Sequence, residues 1–145
     1  MKKNLFWILA SLMMACIGAG CSEEEHSGYY LRGDKLACNK GCHVIKYSPQ
    51  EVKDLPEFLH AQEIEAYDDF FSWYGTFIWT GKVDGKRYYS YYNTSMSHGS
   101  IFTETGEICK SLEFANWTDI EVIWIHPKYL EYHKENNEPL SIMVP

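Results

Sequence analysis

The stretch "GTFIWTGKVDGKRYYSYYN" restricts the fold of this chain more than any other. Asp84-Gly85 lies between two runs rich in aromatic and β-branched residues, and Asp-Gly in that setting signals a two-residue hairpin loop. With those residues as the loop, the expected pairs are Val83 with Lys86, Lys82 with Arg87, Trp79 with Ser90 and Phe77 with Tyr92. Side chains alternate between the faces of a sheet. One face therefore carries Phe77, Trp79, Val83, Tyr88 and Tyr92, and the other carries Ile78, Tyr89 and Tyr91. Both faces are aromatic, so either both are covered or one is a binding surface. Tyr and Trp on an open face stack on sugar rings or anchor a protein partner. Ile78, Tyr89 and Tyr91 are the candidate residues for that contact.

Other signals fill in the architecture. In "YSPQEVKDLPEFLHAQ", Ser48 and Glu51 have the spacing of a capping box, with Pro49 at the first helical position. Asp54 and Glu57 repeat the pattern around Pro56. The expectation is a short turn, then a helix from Leu55 to Glu65 that buries Leu55, Phe58 and Leu59. "SIFTETGEIC" predicts a second hairpin through Thr105-Gly106, and "DIEVIWIH" a further strand. Pro127 opens a last helix, and "KENNEP" reads as a loose C-terminal segment. The fold class expected is α+β, an N-terminal helix packed on a small antiparallel sheet built from hairpins. The chain has 145 residues, 16% of them aromatic, which suits one domain with a substantial core.

The N-terminus gives an address. Lys2 and Lys3 precede an apolar run from Leu5 to Ile17, and Gly18, Ala19 and Gly20 lead up to Cys21. That order is a secretory signal. The run spans roughly 20 Å as a helix, short of a ~30 Å hydrocarbon core. A cysteine after such a run resembles the lipobox of bacterial lipoproteins, where the thiol is acylated and becomes the new N-terminus. Cys16 follows bulky methionines, whereas Cys21 follows three small residues and precedes Ser22-Glu23-Glu24-Glu25. Cys21 is therefore the expected lipidation site. The acidic run resembles the surface-export tether of Bacteroidetes lipoproteins, which implies anchoring in the outer membrane and outward display. The organisation expected is a signal peptide over 1–20, an acidic flexible tether over 21–30 and one globular domain over 31–145.

The order "LPEFL", "YGTFIWTGKVDGKRYYSYYN", "SIFTETGEIC" also resembles small Bacteroidetes lipoproteins that share a domain of unknown function. That resemblance implies a fold and an address but no activity. Losing Lys2 and Lys3 leaves twenty acids against eleven Lys and Arg, a formal charge of −9. Such a balance repels phosphate backbones, so nucleic acid is excluded as a partner. The membrane, reached through the lipid, and a protein or glycan are the partners expected. Asn93-Thr94-Ser95 fits a glycosylation acceptor pattern that has no meaning in a bacterial lipoprotein.

"CNKGCH" is the one segment that suggests cofactor chemistry. Cys38 and Cys42 followed by His43 form a lengthened relative of the c-type haem motif, with Met96, His98 or Met143 as a sixth ligand. Cys38, Cys42, His43 and Cys109 form a Cys₃His set suited to zinc. Both are alternatives to the preferred reading, in which no cofactor is bound and the thiols pair in an oxidising compartment. Chain entropy favours the longer ring: closing Cys38 to Cys42 is worth about 2 kcal/mol, and closing either to Cys109 about 4 kcal/mol. The expected bridge therefore ties Cys109 to Cys38 or Cys42. Cys109 with His98 or His126 matches no nucleophile signature. The acidic pairs Glu63–Glu65 and Asp68–Asp69 read as solvated faces, and no catalytic set emerges. The functional expectation is a non-catalytic binding module, with a redox or metal protein as the alternative.

Overall fold

The structure, a computed structural model, describes residues 28–38, 43–60, 69–95, 97–112 and 115–145. The signal peptide, Cys21, most of the acidic tether, Cys42, Met96, the acidic residues Glu63, Glu65 and Asp68, and the distal half of the expected helix lie outside the described residues.

The Asp-Gly hairpin forms in the expected register. β4 (Thr76–Val83) pairs with β5 (Lys86–Asn93), with Val83 opposite Lys86, Lys82 opposite Arg87, Trp79 opposite Ser90 and Phe77 opposite Tyr92. Asp84 and Gly85 have φ of 50° and 77°, the positive values that a type I′ loop needs. β5 continues to β6 (His98–Thr103), which turns through Thr105 and Gly106 into β7 (Ile108–Cys109). On the other side β4 pairs with β8 (Thr118–Ile125).

β1 (Tyr30–Arg32), β2 (Lys35–Ala37) and β3 (Ile45–Tyr47) extend the sheet, giving eight strands in the order β1-β2-β3-β8-β4-β5-β6-β7. Among the described residues the pairs are antiparallel except one: β3 runs parallel to β8, so the sheet is mixed, not purely antiparallel. The architecture is mostly β with a few short helices. Tyr29 and Tyr30, expected in the tether, already belong to the folded part, for Tyr29 exchanges two backbone hydrogen bonds with Leu140.

Ser48 does not cap a helix. Its hydroxyl donates to Glu121 Oε2 at 3.1 Å, and the chain makes a 3₁₀ turn (Val52–Asp54) before α1 (Glu57–His60). Leu55 and Leu59 are buried there, with Phe58 packed beside them. α2 (Phe70–Trp73) follows, capped by the Asp69 carboxylate, which accepts from Ser72 N at 3.1 Å. α3 (Pro127–Asn136) begins at Pro127 as expected. The segment after it is not loose: Leu140 is fully buried and Ile142 nearly so.

Both faces of the hairpin are covered. On one, Phe77 and Trp79 join Leu36, Ile45, Val122, Ile125, Tyr129 and Leu140. On the other, Ile78 joins Leu55, Leu59, Phe102, Ile123 and Trp124. A bulge in β8 between its pairings to Ile78 and Trp79 puts the adjacent Ile123 and Trp124 in the same cluster.

Candidate functional site

Of the three residues proposed from the sequence as a contact surface, Ile78 is core, whereas Tyr89 and Tyr91 are half-buried. Ile78 has no exposure at all. Tyr89 meets the ring of Phe58 edge-on at 5.9 Å, and both Tyr89 and Tyr91 pack against the cluster beneath α1. The α1 segment covers this face because Phe58 closes over the β6–β7 turn. A Cβ on Gly106, whose φ is 87°, would meet the Phe58 ring at about 3 Å.

The cysteines divide differently from the entropy argument. Cys38 is disulfide-bonded, and Cys109 is a free, half-buried thiol, so the bridge to Cys109 expected from Cys38 or Cys42 is not formed. Sheet order gives the reason. Cys38 follows β2 and His43 leads into β3, whereas Cys109 ends β7 at the opposite edge. Six strand steps separate β2 from β7, about 29 Å along the sheet at about 4.8 Å per step. A disulfide needs Cα atoms within about 7 Å. Ring entropy ranks only the bridges that the fold can close. The same separation takes Cys109 out of the proposed Cys₃His set, and the disulfide takes Cys38 out of it as a thiolate ligand. Among the described residues no group of three His, Cys, Asp or Glu converges to hold a metal ion. His126 directly follows β8, four strand steps from β7 and Cys109, so these two do not form a nucleophile and base.

The structure instead offers a groove at the carboxyl ends of the parallel strands β3 and β8. Ser48 N donates to Val122 O at 3.0 Å and Gln50 N to Ile123 O at 2.8 Å, which carries the chain beyond β3 along β8. It then turns away, while β8 passes into α3. The space left between them has a volume of about 490 Å³. Tyr47, Trp124 and Ile125 form its buried floor. Val52, Pro127 and Leu130 supply reachable apolar surface, and Gln50, Glu51 and Lys53 form an exposed polar rim. Lys53 Nζ lies 2.6 Å from Glu51 Oε2, so the rim is charged but internally balanced.

His126 stands at the start of α3. Its Nδ1 accepts from Lys128 N at 3.2 Å, capping the helix. The ring meets Trp124 edge-on at 5.6 Å, and Nε2 is buried with no hydrogen-bond partner among the described residues. Burial, reinforced by the nearby Lys128 charge, depresses its pKa to about 4. The lone pair of Nδ1 is committed to the helix and Nε2 carries the proton, so the neutral ring has no basic site to offer a substrate. Its role is to cap and pack.

Sequence reasoning passed over the groove because "SPQEVK" matched a helix start. The residues of its two walls are some seventy positions apart, and only the parallel β3–β8 pairing brings them together. Compared with protein-family models, curated proteins and solved structures, the chain matches none.

Proposed function

We infer that the chain is a lipid-anchored, non-catalytic binding module of the outer membrane, and that its partner is a protein segment seated in the groove between the 3₁₀ turn and α3. The anchor rests on the signal sequence, the small residues before Cys21 and the acidic run after it, and the lipoprotein resemblance supports outward display. We read the fold as α+β, with an N-terminal helical layer beginning at α1 and packed on the sheet.

The observation that carries the choice of partner is how the groove's aromatic residues sit. A sugar-binding site presents an open ring face for stacking, but Trp124 is only 4% exposed and Tyr47 only 7%. What a ligand reaches is Val52, Pro127 and Leu130, bordered by Gln50, Glu51 and Lys53. That surface suits an apolar side chain on a peptide whose neighbouring polar groups meet the rim.

A photo-crosslinking residue in place of Gln50, in the full chain in its native membrane, tests this. The expected result is a protein adduct that disappears when Leu130→Glu is added. Adducts unaffected by Leu130→Glu would overturn the groove assignment. Binding to glycans without any protein adduct would transfer the module to the glycan class.

A further inference from the structure

The exposed aromatic surface around α2 is not accounted for by the groove. Phe70 and Phe71 are 44% and 66% exposed, whereas the other aromatic side chains among the described residues are buried or half-buried. Phe70 stacks on Tyr74 with ring centres 4.7 Å apart, and packs edge-on against Trp73 at 5.0 Å and Tyr132 of α3 at 6.1 Å. The cluster is held in shape. Asn93 donates to the carbonyls of Phe71 and Ser72, each at 3.0 Å, and Ser95 Oγ donates to Phe71 O at 2.6 Å. Large aromatic side chains fixed in an exposed position mark an interaction surface.

The start of the folded chain lies close to this surface. The ring of Tyr30 is 5.7 Å from that of His133, the residue after Tyr132. Gly28 is so close to Pro139 that a Cβ on it would lie 2.3 Å from the proline ring. Glu138, beside Pro139, is near enough to Tyr74 for its charge to help raise that phenol's pKa, after the larger effect of burial. The first described residues thus lie beside the aromatic cluster. From Cys21 to Gly28 there are seven residue steps, at most about 25 Å of chain.

We propose that Phe70, Phe71, Trp73 and Tyr132 form a seat on the lipid bilayer in which the chain is anchored. The proposal rests on Cys21 carrying the lipid. Seven residue steps keep Gly28 within about 25 Å of the acylated residue, and the aromatic cluster is the apolar surface adjoining Gly28. Trp, Tyr and Phe are the side chains that settle at a membrane–water interface. The seat also orients the groove. Leu130 and Tyr132 are about 200° apart around α3, so the groove opens on the opposite flank of the helix from the seat. A partner would approach from solvent.

The test uses the full lipidated chain reconstituted in phosphatidylethanolamine–phosphatidylglycerol vesicles, with and without a lipid carrying a doxyl quencher near the headgroup. In a Trp117→Phe background, needed because Trp117 is half-buried, the result expected is a loss of tryptophan emission with the quencher that Trp73→Phe abolishes, since Trp79 and Trp124 are buried. Phe70→Glu with Phe71→Glu is expected to remove the quenching while the chain still floats with the vesicles and keeps its circular dichroism. Flotation without Trp73 quenching would overturn the seat and leave the anchor standing. A chain that does not float would overturn the anchor and the seat together. A protein crosslinked through position 71 in native membranes, with no quenching in vesicles, would reassign the surface to a protein partner.

Discussion

The hydroxyl of Tyr129 accepts a hydrogen bond from the backbone N–H of Ser141 at 2.7 Å, joining α3 to the segment that returns to pair with Tyr29. Tyr129 is 1% exposed, and burial pushes its pKa up to about 12. Tyr129→Phe keeps the packing but leaves a donor without its partner. It is expected to cost about 1–3 kcal/mol in urea denaturation. The raised pKa also gives a signed pH effect. Between about pH 10 and 12 the unfolded tyrosine ionises while the native one does not, so its contribution to stability is intact below pH 10 and falls as pH rises through that window. Tyr129→Phe should lose part of that alkaline dependence.

Asn93 governs where α2 sits. It is 3% exposed and donates to Thr76 Oγ1 at 2.7 Å as well as to the Phe71 and Ser72 carbonyls. Asn93→Ala removes three hydrogen bonds at once, although Phe71 O keeps the Ser95 hydroxyl and Ser72 O keeps the Thr76 hydroxyl as donors, with an expected cost of about 1–2 kcal/mol. Asn93→Asp is expected to be worse, since a carboxylate would face the same oxygens without a proton to give. Hydrogen exchange over residues 70–74 should rise in both variants more than exchange in β4. Equal rises would show that Asn93 stabilises the whole sheet and not α2 in particular. Its burial also leaves no room for a glycan, whatever the triplet Asn93-Thr94-Ser95 suggests.

What was legible in the sequence was local. The register of β4 and β5, the β6–β7 turn, β8 and the start of α3 each follow from a turn residue or a period confined to a few positions. Non-local pairing was not legible. β3 finds its place beside β8 across more than seventy residues, and nothing in "HVIKYS" announces a parallel partner. The like charges Lys82 and Arg87, opposite one another as expected, show the same limit. β8 resolves the repulsion by supplying Asp119, 2.9 Å from Lys82, and Glu121, 3.7 Å from Arg87. The site suffered most. The groove needs the β3–β8 pairing, and the aromatic cluster needs α3 to return over α2.

His126 makes stability depend on pH on the acid side. Its pKa is about 4 in the fold against about 6.5 unfolded, so the unfolded chain binds the proton first as pH falls. The neutral ring carries no penalty above about pH 6.5. Stability then declines toward pH 4, by up to about 3 kcal/mol. His126→Asn keeps an N-cap acceptor and removes the titration. Urea midpoints measured at pH 7 and pH 4.5 should converge in the variant. An unchanged gap would assign the acid sensitivity to other groups.

The cysteine arrangement is open to chemical mapping. Cys109 should alkylate in the native chain without reductant, whereas Cys38 should alkylate only after reduction. A tryptic peptide pair joining Cys38 to Cys109 under non-reducing conditions would contradict the six-strand separation of β2 and β7. Because Cys109 is half-buried at the end of an edge strand, its modification rate should rise little in denaturant compared with that of a core thiol.

The anchor prediction comes down to a single sulfur. If Cys21 is acylated, the mature chain begins Cys-Ser-Glu-Glu-Glu, and every hold on the membrane stronger than the aromatic seat passes through that residue. One acyl chain gives only marginal binding, about 10⁴ M⁻¹, so stable anchoring requires two or more chains on the same cysteine. Cys21→Ser should therefore release the protein or leave an unprocessed precursor, whereas Cys16→Ser should leave it membrane-bound. The aromatic seat sharpens the expectation, because a released chain should still associate weakly with vesicles, and Phe70→Glu with Phe71→Glu should abolish that residue of binding. Mass spectrometry of the N-terminal peptide reads the modification directly. A lipid on Cys16 would lengthen the tether by five residues, relax the limit that brings the seat to the bilayer, and leave Cys21 as a thiol able to pair.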